Sequence, residues 1–569
     1  MKKIFSIITV LALNIYGLQA QDLANLKDQK PFHLSGSIGA GTDYYSSNEP
    51  YMTRDPFSWN LNGNLTASIY GFSIPLSFVV NQYSTSYTTP FTQFGMSPTY
   101  KWLTVHLGYR SMSLNPFVFD GQSFLGGGIE LRPGKFRFSG FYGRINKAIT
   151  EDTTFDHRIE PQYSRIGYGF KIGAGKDGNE FSLSFFHGKD DKGSIPPIKD
   201  SLNTLKPQEN TAVGGAWSYR LFKVLTFSGD VAFSLLNRDM NFESLDSIGH
   251  YEVPKFVRTF SPINYSTVFS YSGRTQLGLT LKGFNISGGY QRIQPDYMSL
   301  GTIYMVNDIE TYSGNFGTNL FRGHLNLNGS FNAQHNNLSK ALISELQTMA
   351  GNFSINANLN QHWNLNLNVN GANVYQKDGT MAIDEDVRMN QLMMNYAFSP
   401  SFNTYAANKQ HTVTASINYT DLVDRNPSTK DMTAGNNINV NGTYDLQFIE
   451  KYFGINTGIN YSVYSQKEYE YQSTGINVGA NIQLLKQHQL SVQGNVGYFL
   501  NKSTGDTPGN NTTFSLSSSL TAGKSSFSLY GSYILTPPVN LDPLDKISLV
   551  PTAVRTKNFS AGIQYTCQF

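Results

Sequence analysis

The chain has 569 residues, a net charge of only +3, a single cysteine, and just 15% charged side chains. Ordinary globular proteins carry about 25% charged residues, and so small a net charge on this length argues against nucleic-acid binding. One cysteine excludes an internal disulfide framework and cysteine-rich zinc sites. Aromatic residues reach 14% beside 52 glycines, a composition typical of strands with one face in lipid and the other in a polar lumen.

The N-terminus has the pattern of an export signal. Lys2 and Lys3 precede the apolar run Ile4–Leu13, and small residues follow up to Ala20. This run is too short to span a bilayer as a helix. We therefore predict a signal peptide at 1–20 and a single outer-membrane β-barrel domain at 21–569. No cysteine follows the run, which argues against a lipid anchor, and no other segment is long enough for a transmembrane helix.

Strand-like alternation begins near Phe32–Tyr44, soon after the predicted cleavage site. A TonB-dependent transporter would need a plug domain in that space, so we expect the barrel to lack a plug. Further along, Leu125–Leu131 runs into the turn Arg132–Lys135, where Pro133 fixes φ and Gly134 accepts a positive φ. Pro75 falls inside a strand pattern and predicts a missing ladder bond.

Short turns of this kind alternate with longer, more polar segments along the whole chain. The longer segments are Lys189–Asn210, Asn237–Pro262, His335–Thr348, Lys377–Val387 and Thr536–Val554. This asymmetry is typical of bacterial outer-membrane barrels, which have short periplasmic turns and longer extracellular loops. Ser339–Met349 has helical spacing and predicts a short loop helix.

The fold prediction is all-β: one transmembrane antiparallel up-and-down barrel of about 26 strands, within a range of about 24 to 28. An even number of strands puts both chain termini in the periplasm. The predicted location is the cell outer membrane, with outer-membrane lipid as the surrounding partner.

The last stretch, Asn558–Phe569, alternates apolar with polar or tiny residues and ends on an aromatic. A strand at the chain end exposes unpaired backbone N–H and C=O groups unless it pairs with the first strand and closes a barrel. The pattern resembles the closing strand of bacterial outer-membrane barrels. That resemblance implies that the barrel assembly machinery reads Tyr565 and Phe569 as an assembly signal.

Strand parity predicts a lumen wall with two different arcs. The first arc is charged and net basic, and its inward candidates are His106, Arg110, Glu130, Arg132, Arg137, Arg165, Lys171 and Asp230. From about Leu325 onward the inward positions are amides and hydroxyls. The basic arc is either a selectivity element for polar or anionic solute or a set of ion pairs that brace the wall, with Glu130 and Arg137 as one such pair.

About 26 strands enclose a wide lumen, because barrel diameter grows with strand number. Infolded loops, a partner protein or a translocating substrate should fill it. The candidate infolded loops are Asn237–Pro262 and the proline-rich Thr536–Val554, which could equally cover only the outer mouth.

Enzyme signatures are weak. The chain has no Gly-x-Ser-x-Gly elbow and no His-Glu-x-x-His motif. The acidic pairs Asp190–Asp191 and Asp384–Asp386 fit solvated loop charge better than Ca²⁺ binding. We expect no catalytic, cofactor or metal site.

Three runs carry a family resemblance: Phe94–Leu114, Phe124–Lys147 and Gly288–Leu300. They resemble a recurrent pattern in a family of large, largely uncharacterised, plugless outer-membrane β-barrels of Gram-negative bacteria. The resemblance implies the barrel architecture for the whole chain but implies no catalytic or ligand residues.

Two functional hypotheses from different classes follow. The first is a plugless channel or transport-type barrel for passage of solute or macromolecule. The second is a structural or docking barrel bound to a partner in an envelope or secretion assembly. An outer-membrane hydrolase comes third, because it would need a Ser or His on the outer wall at the lipid boundary.

Overall fold

A computed structural model describes most of the chain. The described residues are 32–48, 55–69, 72–82, 95–151, 160–176, 178–197, 205–248, 251–252, 261–303, 305–485, 487, 489–505, 508–541 and 552–569. The predicted signal peptide at 1–20 lies outside them. Among the described residues no helix is both long and apolar enough to cross a membrane, a finding that bears on helices only.

The fold is a closed antiparallel β-barrel of 26 strands, as the alternation predicted. The first half consists of β1 (His33–Ser47), β2 (Phe57–Ile69), β3 (Phe72–Asn81), β4 (Gly95–Met96), β5 (Thr99–Tyr100), β6 (Leu103–Ser111), β7 (Ser123–Leu131), β8 (Phe136–Asn146), β9 (Arg165–Lys176), β10 (Asn179–Asp190), β11 (Glu209–Leu221), β12 (Leu225–Asn237), β13 (Ser247–Ile248), β14 (Tyr251–Glu252), β15 (Thr267–Leu281) and β16 (Phe284–Ile293).

The second half consists of β17 (Ile309–Leu320), β18 (Leu325–His335), β19 (Ser344–Asn358), β20 (Trp363–Asp378), β21 (Asn390–Ala406), β22 (Lys409–Asp424), β23 (Gly435–Phe448), β24 (Phe453–Gln466), β25 (Tyr469–Leu484), β26 (Leu490–Ser503), β27 (Gly509–Ala522), β28 (Ser525–Leu541) and β29 (Thr552–Gln568). A one-turn helix, α1 (Lys430–Thr433), and two 3-10 turns (Phe321–Gly323 and Ile449–Lys451) lie between strands.

The barrel closes where the last strand meets the first. β1 pairs antiparallel with both β2 and β29, and the closing register places Ser37 opposite Gln568 and Tyr44 opposite Ala561. β4 and β5 both lie between β3 and β6 and share one place in the wall, while β13 and β14 form a separate small hairpin. Because the last wall strand pairs with the first, each described strand of the wall has a neighbour on both sides, with an irregular ladder where β3 meets β4 and β5.

Each strand has one apolar and one polar face, because successive side chains point to opposite sides. On β10, Phe181 and Leu183 are 47% and 51% exposed, whereas Ser182 and Ser184 are 9% and 5% exposed. The strand registers carry this division around the barrel. We assign the apolar face to lipid and the polar face to the lumen, because a lipid belt around a polar interior is the arrangement that a membrane barrel requires.

The hydrophobic core of the described residues lies on the polar face and is built by two infolded loops. One is the β6–β7 loop (Met112–Gln122), and the other is the β16–β17 loop (Gln294–Asp308). They contribute Leu114, Val118, Phe119, Tyr297 and Leu300, which are at most 3% exposed. We call them the inner loop pair. The two loops meet against the polar face of the strands that lie between them, β10 to β12.

The inner loop pair corrects the expectation about infolded loops. The described part of Asn237–Pro262 lies elsewhere: its Met240 and Phe242 line a cavity with Tyr142 and Ile166 of the apolar face. In Thr536–Val554 the chain continues as strand to Leu541 and resumes as strand at Thr552, with 542–551 outside the described residues. A register shift between Leu535 and Pro538 accommodates Pro537 and Pro538 within this strand.

The predicted loop helix at Ser339–Met349 is also wrong. Residues from Ser344 onward belong to β19, which pairs with β18 and β20 over its length. The helical spacing of three apolar residues is outweighed because a closed barrel needs a continuous ladder on each side of every strand.

Candidate functional site

The polar face carries mainly amides and hydroxyls over a wide arc that runs from β18 around to β2, with isolated carboxylates such as Asp445. Asparagines on neighbouring strands hydrogen-bond to one another there: Asn395 Nδ2 donates to Asn418 Oδ1 at 2.7 Å and Asn370 Nδ2 to Asn395 Oδ1 at 3.4 Å. We call this the amide arc. Its amides present both donors and acceptors and carry no charge themselves.

The charged arc occupies the polar face between β6 and β15. His106 and Arg110 lie on β6, Glu130 on β7, Lys171 on β9 and Asp230 on β12. Arg110 is fixed by the wall itself: its guanidinium donates to the Pro75 carbonyl at 3.1 Å and to Ser77 Oγ at 3.2 Å. Arg110 therefore supplies hydrogen bonds at the irregular β3–β4 junction, where Pro75 leaves the strand ladder incomplete.

Glu130 is the centre of a small polar group near the short-turn rim. Its carboxylate lies 2.6 Å from Arg132 and 3.4 Å from His106 Nε2, and His106 Nδ1 lies 2.8 Å from Ser97 Oγ. Arg137 donates to the carbonyls of Gly134 and Phe136 rather than to Glu130. The predicted Glu130–Arg137 brace is thus wrong, and Arg132 takes that place.

Arg165 braces the opposite rim. Its guanidinium makes two hydrogen bonds to Asp190, at 2.7 and 3.1 Å, and the Asp190 side chain is only 3% exposed. The Gln208 amide also donates to Asp190 at 2.9 Å. This paired geometry is the strong form of an ion pair.

The inner loop pair is held together by hydrogen bonds that bridge about 180 residues of chain. The Tyr297 hydroxyl donates to the Phe117 carbonyl at 2.8 Å, Ser299 Oγ donates to the Val118 carbonyl at 2.6 Å, and the Asp120 amide donates to the Gly301 carbonyl at 3.0 Å. Each loop satisfies backbone groups of the other, so the two form one unit.

The same unit is bonded to the wall. Ser184 Oγ donates to the Leu114 carbonyl at 3.1 Å, Ser234 Oγ to the Met298 carbonyl at 2.6 Å, and the Leu300 amide to Asn210 Oδ1 at 3.1 Å. Small wall residues make the close approach possible, since a Cβ on Gly214 would lie 2.7 Å from Val118.

Aromatic stacking fills the space between loop and wall. The Phe119 ring lies 4.2 Å from that of Phe141 and 5.3 Å from that of Phe186, and all three are almost fully buried. Tyr297 is 1% exposed, and burial raises the pKa of its hydroxyl to about 12. The phenol therefore stays a donor at any ordinary pH.

A polar cavity of about 580 Å³ opens on the charged arc beside the inner loop pair. Lys171, Glu180, Asp230 and Arg274 line it together with serines of β10 to β12. Arg274 Nε lies 2.7 Å from Asp230, and its guanidinium lies 5.8 Å from the centre of the Phe117 ring. The loop unit, an ion pair and a polar cavity thus meet at one place on the wall.

The sequence reasoning found Lys171 and Asp230 but missed Glu180, Arg274 and both loops. A signal for the first loop was present: Phe117, Val118 and Phe119 form an apolar run inside a connecting segment. The resemblance runs also point there, since they include Met112–Leu114 and Tyr297–Leu300 of the inner loop pair.

His187 lies on the apolar face, the side of the wall on which a lipid-facing hydrolase would need its catalytic residue. His187 Nδ1 lies 3.0 Å from Thr211 Oγ1, and its Nε2 lies 3.6 Å from Glu209. Glu209 is also 3.2 Å from Lys189, which neutralises it. The group lines a cavity of about 760 Å³ outside the wall.

No protein-family model matches the chain, and no curated protein matches it. The solved structures that it is similar to include the three that follow. OpdQ of Pseudomonas aeruginosa is 10% identical, with 68% of this chain and 98% of OpdQ covered and a TM-score of 0.34. The translocation pore of the P pilus usher PapC is 9% identical, with 94% and 99% covered and a TM-score of 0.35. The siderophore receptor PirA of Pseudomonas aeruginosa is 11% identical, with 95% and 81% covered and a TM-score of 0.36. Likeness at this level does not identify a function.

Proposed function

We propose that the chain is an integral outer-membrane channel for passage of polar solute, without a TonB-type plug and with both termini in the periplasm. One observation carries this proposal. Among the described residues, the buried core of the inner loop pair draws on positions between Met112 and Ile309, so these two loops do not pack on the amide arc. The loops therefore narrow one side of the lumen and leave a polar path along the other.

The uncovered wall is suited to water and neutral polar groups. Asn366 and Asn439 are half-buried in the wall and pair with Asn356 and Asn418 across the strand registers. Amides exchange hydrogen bonds with passing solute at little cost, and a wide lumen follows from 26 strands.

The surroundings and assembly of the barrel are part of the same proposal. The apolar face exposes large side chains such as Leu183, Ile459 and Ile563, which suit contact with lipid. The closing strand presents Tyr565 and Phe569 on that face, and the Tyr565 ring lies 4.6 Å from Phe527. We propose that the barrel assembly machinery recognises these two aromatics.

Planar-bilayer recording tests the channel. The purified protein should give stable conductance, and replacing Asn115–Gly121 by a short Gly-Ser linker should raise the conductance at least about twofold, because channel current grows with open cross-section. A matched variant with the same linker in place of Asp384–Val387, a loop outside the core, should conduct like the native protein. Absence of conductance in native and loop-deleted protein would sink the proposal. If the purified barrel does not conduct and keeps a partner protein at a stoichiometric ratio, the docking hypothesis would be favoured instead.

A further inference from the structure

The polar cavity on the charged arc is lined by two cationic and two anionic side chains. Lys171 and Glu180 stand on β9 and β10, and Asp230 and Arg274 stand on β12 and β15. Between the two pairs, the cavity is lined by Trp217 and by small side chains. These small residues are Ser182, Ala216, Ser218 and Ser228.

The two pairs of charged side chains differ in whether an ion pair already neutralises them. Arg274 and Asp230 bind each other at 2.7 Å, and Asp230 is only 14% exposed. Among the described residues, Lys171 and Glu180 have no hydrogen-bond or ion-pair partner. Their side chains, an ammonium on β9 and a carboxylate on β10, are therefore the two charged groups of the cavity that have no ion-pair partner.

The spacing of Lys171 and Glu180 sets the size of a ligand. Lys171 lies opposite Ser184, so it stands four residues along the β9–β10 ladder from Glu180, about 13 Å at the backbone, and both long side chains can extend into that interval. The cavity volume of about 580 Å³ falls within the usual range for small-molecule sites. Phe117 of the inner loop pair lies against Arg274, one of the residues that line the cavity.

The charge pattern selects among solute classes. An anion would be attracted by Lys171 but repelled by Glu180 and Asp230, and a cation would meet the reverse. A neutral polyol could hydrogen-bond to these groups but would neutralise neither charge. Only a solute with both charges gains from Lys171 and Glu180 at once.

We infer that this cavity is a binding site for small zwitterionic solutes of the amino-acid or short-peptide class, in which the solute carboxylate meets Lys171 and its ammonium meets Glu180. The inference rests on the proposed channel function, because the solute reaches the cavity from the lumen. Arg274 and Asp230 lie on the opposite side of the cavity, where the Arg274 guanidinium can make a second contact with the solute carboxylate.

The test measures how long a solute interrupts the current through the full-length protein in a planar bilayer at pH 7. Glycylglycine should interrupt the current about tenfold longer than glycerol, succinate or putrescine, the ratio that about 1.4 kcal/mol of extra binding gives. Lys171→Gln and Glu180→Gln should each reduce the glycylglycine time to the glycerol level. Lys171→Arg should keep it, and Asp445→Asn, which removes a carboxylate from the amide arc, should leave it unchanged.

Equilibrium dialysis of labelled glycylglycine against detergent-solubilised protein separates the site from the channel. Binding that is lost in both Lys171→Gln and Glu180→Gln, on a barrel that never conducts, supports the site and refutes the channel. Normal conductance with glycylglycine no slower than glycerol, or binding untouched by both substitutions, overturns the inference.

Discussion

The Tyr297 hydroxyl donates a hydrogen bond to the Phe117 carbonyl, 2.8 Å away, across 180 residues of chain. The bond joins the two loops that fill part of the lumen, and both residues are at most 4% exposed. A buried donor and acceptor that satisfy each other make this contact costly to break. The loops should therefore stay in place while solute passes beside them.

Tyr297→Phe should loosen the inner loop pair. The substitution keeps the ring but leaves the Phe117 carbonyl buried without its donor, at a cost of about 1–3 kcal/mol. Open-channel current noise should rise while the mean conductance changes little. Tyr396→Phe, on the lipid-facing side of β21, is the matched control and should behave like the native protein. Equal noise in all three proteins would show that the bond does not hold the loops.

The same hydroxyl predicts a dependence on alkaline pH. Its pKa is about 12 in the fold, against about 10 in an unfolded chain. A raised pKa means that the protonated form is favoured by folding, so this contribution is complete below pH 10 and is lost as the pH rises toward 12. Two units correspond to roughly 2–3 kcal/mol. The difference in ultraviolet absorbance between native and Tyr297→Phe protein should show one tyrosine that titrates near pH 12, and titration near pH 10 would contradict the burial.

Gly301→Val should separate the two loops. A Cβ at Gly301 would lie 2.5 Å from the Val118 carbonyl oxygen and 2.8 Å from the Phe119 ring, so the β16–β17 loop must move away. We expect a larger conductance than native. Gly494→Val is the control, because a Cβ at Gly494 meets nothing closer than 3.9 Å. If Gly301→Val matched the control, the inner loop pair would not limit the current.

The barrel could be predicted from the sequence because its signal is local. In β20 every second residue from Asn364 to Asn370 is an asparagine between apolar neighbours, and that period alone specifies a strand with one wet face. The turn at Pro133–Gly134 is equally local, and Gly134 has the positive φ that was expected.

The inner loop pair could not be predicted in the same way. Ser299 hydrogen-bonds to the Val118 carbonyl, 181 residues away in the chain, and neither a residue period nor a turn motif predicts that contact. The cavity depends on register as well: Arg274 lies opposite Asp230 only because β12 pairs with β15 and skips the small hairpin between them. Pairing of that kind is set by closure of the whole barrel rather than by nearby residues.

Arg165→Leu should destabilise the long-loop rim. It leaves Asp190, which is 3% exposed, as a buried carboxylate without its cation, and breaking such a pair costs about 3–5 kcal/mol. The temperature at which the folded barrel unfolds in detergent gels should fall. The double variant Arg165→Leu/Asp190→Leu should recover part of the loss, since no unpaired charge remains. A single variant as heat-resistant as the native barrel would show that the pair contributes nothing.

The assignment of the two faces is the central claim, and labelling of single cysteines tests it most directly. With Cys567→Ser as background, Asn441→Cys and Val440→Cys are adjacent positions on β23 that should face opposite sides of the wall. In proteoliposomes a water-soluble maleimide should label Asn441→Cys readily and leave Val440→Cys unlabelled. A fluorophore attached to Val440→Cys in detergent before reconstitution should be quenched by brominated lipid, and one attached to Asn441→Cys should not. Rapid labelling at Val440→Cys with protection at Asn441→Cys would contradict a water-filled polar lumen inside a lipid belt.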